Sequence, residues 1–432
     1  MNFLIISDLN DVLISRKSHF SSDKGFHFGL GLVNNGMNVS YLTMGETGFI
    51  NNMKLINYTE ITDDNVELYD YIIFVKEKII VDTLIKIDAL KKMFFNKERK
   101  AKIIVKSDSA IWIRDKEIRR YISNVMNINA SINSITKWIN KNIDFICVQN
   151  EDLFIEAKNI NILPSKLIIT NMSVFDKQIN YDELENPYTD DYLYCKMKTS
   201  ELRNGDALYP LYYVKNPDKI YELTEKKRKK IIYMGRIKTD AGKIIYTIRD
   251  IIEQLGDDYE LHIYPGSFYL YTPDGTRMNC SSNNGNHLEK LREYVFENNK
   301  NVFIHKPFNH ENIHKYLWFV DCGIDFSPSR PENVKAKPAN AKLLEYCYMG
   351  LPVVCDGNIN NSYFISQCNN GIVLDGNGSV EQFVDSIKQL TSKNISIDDK
   401  KRVSRIMIEN ENYTVRTKNF IQDLEKLIHN EK

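Results

Sequence analysis

The side chains best suited to chemistry in this sequence fall in two short segments. The first, YMGRIKTDAGK, places Gly235 and Arg236 directly after an apolar run and sets Lys238 and Lys243 before or within the helical pattern that follows. An arginine offers a fork of N–H donors, and the first turn of a helix adds unpaired amides and positive potential, so cations meeting a helix start at a strand end suit a diphosphate. Alone, the segment also reads as a helix with solvated lysines. The second, NAKLLEYCYMGLPVV, carries Lys342, Leu344, Glu345 and Gly350 ahead of a buried strand. A carboxylate in the first turns of a helix can accept both hydroxyls of a ribose; in isolation Glu345 reads as an exposed helix residue. The two segments together favour one shared site.

Such residues need a scaffold that gathers strand ends, and the hydropathy pattern supplies one. Short apolar runs (NFLIIS, VSYLT, YDYIIFV, KIIVKS, DFICVQ, KLIIT) alternate with helical stretches in the first part of the chain and read as buried parallel strands. Between the first two runs, Phe26, Phe28, Leu30, Leu32 and Val33 share a helix closed by Gly36, which makes a βαβ unit. Alternation resumes at KIIYMGR, with YELHIYPG, NVFIHKPF, CGIDFSPS and LPVVCDG as further strands. The expected architecture is α/β: two Rossmann-like doubly wound domains facing across a cleft, residues 1–175 and 229–410. A polar, tyrosine-rich insert, 176–228, joins them, and 411–432 forms a terminal helix with Phe420, Leu424 and Leu427 on one face. Open parallel sheets bind ligands outside the carboxyl ends of their strands.

Composition limits the function classes. A chain of 432 residues should bury two cores, which excludes a single small binding module. With 57 Lys+Arg against 57 Asp+Glu there is no chain-wide basic field to draw it to nucleic acid or anionic lipid. Seven cysteines without a Cys-x-x-Cys pair suit reduced thiols and not a structural zinc site. The N-terminus lacks a basic n-region and no run of 18 apolar residues occurs, so a cytoplasmic location is expected.

Taken in order, YMGRIKTDAGK, LHIYPG, VFIHKPFNHENIHKYLWFVDCGIDFSPS and AKLLEYCYMGLPVVCDG resemble the donor domain of GT-B glycosyltransferases, especially glycosyltransferase family 4 and its relatives. The last segment is the most specific. SDKGFHFGLGLVNNGMNVSYLT and DFICVQNEDLFIEA resemble the opening loop and last strands of the family's acceptor domain, so the resemblance covers most of the chain outside the insert. It implies transfer of a hexose or pentose from a UDP-, GDP- or ADP-sugar to a saccharide, lipid-linked or protein acceptor, with no metal required. Residue by residue, it implies that Arg236 beside Gly235 holds the donor diphosphate, with Lys238 or Lys243 as second cation. Glu345 would bind the ribose, Lys342 and Leu344 would support the site, and Gly25 would let the first loop approach the diphosphate.

The sequence departs from the family's pattern at two positions. The lysine usual five residues after the arginine is Ala241 here, and the glutamate that retaining members carry eight positions before the ribose glutamate is Lys337, with Glu332 nearby. An inverting mechanism needs a general base, and KIIVKSDSAIW offers Asp108 at a strand end. Its place resembles that of the base aspartate in phage β-glucosyltransferases that modify DNA; Asp108 also reads as a helix cap. His27 is a second cleft candidate and also reads as a packed residue.

Other motifs carry less. HENIH (310–314) matches the H-E-x-x-H zinc pattern, but no third ligand follows at a familiar spacing, and no metal site is expected. KKMFFNKERKAK (91–102) mixes lysines and aromatics on one helix, suiting either peripheral membrane contact or inward packing of Met93, Phe94 and Phe95. Two alternative functions stay open. One is a DNA glycosyltransferase acting on a hydroxymethylated base, which needs a basic, base-flipping acceptor domain. The other, motivated by Lys337, is a glycosyltransferase-like binding protein without turnover.

Overall fold

A computed structural model of the chain describes residues 1–7, 24–75, 77–107, 116–171, 173–174, 179–188, 228–237, 243–272, 274–281, 284–299, 301–306, 308, 312–326, 341–357, 359–375, 378–393 and 395–430. These divide into two units. Residues up to Val174 and from Glu409 onward form the first, and residues 179–326 and 341–408 the second.

The first unit is built on strands β1 (Asn2–Ile6), β2 (Asn38–Thr43), β3 (Gly48–Ile50), β4 (Met53–Asn57), β5 (Tyr71–Val75), β6 (Lys102–Lys106), β7 (Phe145–Val148) and β8 (Leu167–Ile169). Their order is β3-β4-β2-β1-β5-β6-β7-β8, with every pair parallel except the short β3–β4 hairpin. Helices α1 (Lys24–Asn34), α2 (Asp63–Val66), α3 (Glu77–Lys86), α4 (Asp88–Phe95), α5 (Lys116–Met126), α6 (Ile132–Asn142) and α7 (Glu151–Asn159) make the crossovers. Because both faces of a parallel sheet are covered, its strands are apolar throughout. β5, YIIFV, is buried at every position, with Ile72 and Phe74 in one core and Ile73 and Val75 in the other.

The second unit follows with β9 (Lys229–Ile237), α8 (Lys243–Leu255), β10 (Tyr259–Tyr271), β11 (Arg277–Ser281), α9 (Gly285–Val295), β12 (Val302–Ile304), α10 (Ile313–Trp318) and β13 (Cys322–Asp325). It continues with α11 (Ala341–Tyr348), β14 (Val353–Asp356), α12 (Ile359–Cys368), β15 (Gly371–Leu374), α13 (Val380–Ser392) and α14 (Ile397–Glu411); α15 (Tyr413–Asn430) closes the chain. The second sheet runs β11-β10-β9-β13-β14-β15, with β12 on the first half of β10. In each unit the first strand is flanked by strands from both directions of winding: β1 by β2 and β5, β9 by β10 and β13. The winding therefore reverses there, and within each unit the carboxyl end of that strand marks the switch point at which such sheets bind ligands.

Three sequence expectations need correction. The strand read as YELHIYPG continues to Tyr271 and turns back as β11 by way of Asp274 and Gly275, the glycine at φ +82° and the Asp274 carboxylate accepting from the Thr276 amide (3.0 Å). The helix read over 91–102 ends at Phe95, and β6 starts at Lys102. Met93 and Phe94 point inward, with Phe94 stacked on Trp138 at 5.9 Å, while Phe95 stays 45% exposed. The insert is not wholly polar linker: Tyr188 is buried, its hydroxyl donating to the carbonyl of Tyr316 (2.8 Å) and pairing with the Tyr264 hydroxyl (3.0 Å). Among the described residues no helix is long and apolar enough to cross a membrane.

A polar chain threads the second core beside these tyrosines. Lys230 pairs with Glu260 (3.2 Å), Glu260 with His262 Nε2 (3.1 Å), and His262 Nδ1 with His305 Nε2 (2.9 Å).

Candidate functional site

The site is best built from β9. Its residues alternate between apolar contacts until Gly235, which takes φ +101°, a backbone conformation that a side chain would strain. Arg236 follows within β9 and is exposed, while Met234 and Ile237 near it are buried. A guanidinium thus stands at the carboxyl end of the switch-point strand, ahead of the first residue of α8, Lys243. The side chain of Lys243, together with Lys238, Asp108, Lys337 and Glu332, lies outside the described residues, as do His310 and Glu311 of the HENIH motif.

Helix α11 supplies the second element. Lys342 and Glu345 are three apart and so share one helix face. The Lys342 ammonium is turned inward: it pairs with Asp325 at 3.0 Å and donates to the Tyr233 hydroxyl at 3.0 Å, lying 4.4 Å from the centre of that ring. Asp325 is fully buried at the end of β13. Burial pushes the lysine's pKa down, but the carboxylate and the tyrosine outweigh it and hold it above the ordinary value, so the ammonium stays charged. Tyr233 in turn donates to the carbonyl of Arg236 (3.0 Å), and its own pKa is raised by burial. One helical turn on, the Tyr346 hydroxyl accepts from the Met234 amide (3.2 Å). Helix α11 is thereby fixed to β9 at two successive residues, Tyr233 and Met234, just ahead of Gly235 and Arg236, and its Glu345 is half-buried.

Several expected roles change with this geometry. Lys342 belongs to a buried ion pair with Asp325 and reaches β9 through the Tyr233 hydroxyl. Leu344 is 2% exposed and packs into the core, because it lies on the face of α11 away from Glu345. Gly25 is a buried residue of the first turn of α1, not part of a loop. His27 stacks on Tyr413 at 5.6 Å. Tyr233, Asp325 and Tyr346 are the residues the sequence reading passed over. Their signal was present: each is a polar-headed side chain inside or beside an otherwise apolar run, where a lone polar group needs a partner.

The carboxyl edge of the first sheet is polar as well. Ser7, Thr43, Ser107, Gln149, Asn150 and Thr170 follow or end β1, β2, β6, β7 and β8 on that edge, and all are buried. Lys106 at the end of β6 is also buried, 5.6 Å over the Phe28 ring.

Two Rossmann-type sheets, each reversing its winding at its first strand, are the architecture of the GT-B class of fold, and solved structures that share it include glycosyltransferases and sugar-phosphate synthases. A glycosyltransferase from Rickettsia africae is 12% identical, with a TM-score of 0.55 and 99% of this chain covering 98% of that one. Sucrose-phosphate synthase from Thermosynechococcus elongatus is 10% identical with a TM-score of 0.58, the match covering 99% of this chain and 100% of that one. Anabaena HepE, solved in complex with UDP, is 9% identical with a TM-score of 0.56 over 99% and 100% of the two chains. At these identities the likeness is one of fold. No family model and no curated protein matches the sequence.

Proposed function

We propose that the chain is a glycosyltransferase that moves a sugar from a nucleotide-sugar to a hydroxyl of a glycan, glycolipid or glycoprotein. The observation that carries this reading is the exposed Arg236 at the carboxyl end of β9, held by α11, which bears Glu345. In this reading Arg236 and either Lys238 or Lys243 meet the charge that builds on the leaving nucleoside diphosphate, and Glu345 orients the ribose; positioning and charge stabilisation supply the rate, with no metal needed. Asp108 takes the acceptor proton in an inverting transfer. HepE has also been solved with UDP-glucose, which makes UDP the first nucleotide to try.

Calorimetric titration with UDP, GDP, ADP and CMP tests the reading. One nucleotide should bind selectively and lose at least about tenfold in affinity, about 1.4 kcal/mol, in both Arg236→Ala and Glu345→Ala. Folded protein that binds none of the four would overturn the proposal.

A further inference from the structure

We infer that Tyr233 is a positioning residue for the donor diphosphate, acting through the backbone of Arg236; the inference rests on the nucleotide-sugar reading and extends it. The argument begins with a cost. Tyr233 is 1% exposed and its ring packs among Ile231, Phe326 and the rest of the second core, a place that phenylalanine would fill without burying a hydroxyl. The hydroxyl is fully used instead. It accepts from the Lys342 ammonium and donates to the Arg236 carbonyl, each at 3.0 Å, and Lys342 is itself locked by Asp325.

The Arg236 carbonyl is the group that needs holding. Gly235 lies at φ +101°, a conformation that glycine adopts without strain, so the residue before Arg236 does little by itself to fix the course of the Arg236 main chain. A hydrogen bond to that carbonyl fixes the rotation of the Arg236 main chain and with it the direction in which the guanidinium leaves the sheet. The chain Asp325–Lys342–Tyr233–Arg236 thereby ties the Arg236 main chain to β13 and α11. A bidentate arginine contact is sensitive to angle, so loss of this tie should be felt by the diphosphate and not by the nucleoside.

The test is a double-mutant cycle on the full chain, using the best-bound of UDP, GDP and ADP and the corresponding free nucleoside as probes. Tyr233→Phe should weaken the diphosphate about tenfold, leave nucleoside affinity unchanged, and cause no further loss when Arg236 is already alanine. Equal weakening of diphosphate and nucleoside, or full additivity with Arg236→Ala, would show a merely structural tyrosine and overturn the inference. Wild-type protein that binds no nucleotide would overturn the donor reading and this inference together, an outcome distinct from binding with an unaltered cycle.

Discussion

At the scale of single residues, the second unit stakes much on buried charge. Asp325 has no exposure and its partner ammonium is only 12% exposed, so removing one without the other strands a charge in a low-dielectric core. Lys342→Met should lower unfolding stability by about 3–5 kcal/mol in denaturant titrations, and adding Asp325→Leu should restore most of it. A double variant no more stable than the single would show that the pair does not act as an isolated unit. The buried imidazole of His262 gives a pH dependence. Burial holds its pKa below the ordinary 6.5, although Glu260 beside it acts the other way; Lys230 and His305 are the other titratable groups of the chain. The unfolded chain therefore takes up the proton first as pH falls. Stability should be complete above about pH 6.5 and decline as pH drops toward the folded value, with His262→Gln flattening the slope of the denaturation midpoint against pH. A midpoint that varies equally in both proteins would assign the effect elsewhere.

At the scale of elements, the clearest constraint is the seating of α15 on α1. A Cβ on Gly31 would lie 2.5 Å from the Tyr413 carbonyl and 2.8 Å from the Thr417 hydroxyl, and Asn35 reaches across to donate to the Thr414 carbonyl (2.8 Å) and Thr417 hydroxyl (3.0 Å). Gly31→Ala should therefore cost about 1–3 kcal/mol and speed amide exchange along Tyr413–Asn430, whereas Gly285→Ala, with open space around its Cβ, should be nearly neutral. Exchange rates in α15 that stay unchanged would contradict close packing at this contact. The apolar spacing of Phe420 and Leu424 was legible as a docking face; the surface it meets was not. The match between Gly31 and a carbonyl some 380 residues away involves no local pattern. Strands and helices flanking Arg236 and Glu345 were equally legible, since period-2 and period-3.6 burial are written into short windows. The β11 return is less legible, because YELHIYPG already reads as a complete strand and Pro265-Gly266 looks like its end, whereas β10 runs on to Tyr271.

At the scale of the whole molecule, the chain begins and ends in one unit. Tyr413, Phe420, Ile421 and Leu424 belong to the same core as Phe3, Phe28 and Tyr41, so the first unit completes its core only when residues some 400 positions apart have met. Truncation after Asn412 should unmask this apolar face, on the order of 1.5–3 kcal/mol per large side chain uncovered, enough to exhaust an ordinary domain's stability. A rise in binding of a hydrophobic dye and loss of exchange protection in β1 are the expected readouts; a truncated chain with native β1 protection would contradict them. The sequence by itself determined the alternation of strand and helix, the two-sheet architecture, and the segments holding Arg236 and Glu345, because those depend on hydropathy period and turn residues a few positions apart. Only the tertiary structure decided that Lys342 is spent on Asp325 and Tyr233, that Leu344 and Gly25 are buried, and that Tyr233 holds the Arg236 carbonyl. Those outcomes depend on which side chains meet across β9, β13 and α11, and the balance of burial against pairing at each meeting is set by neighbours distant in the chain.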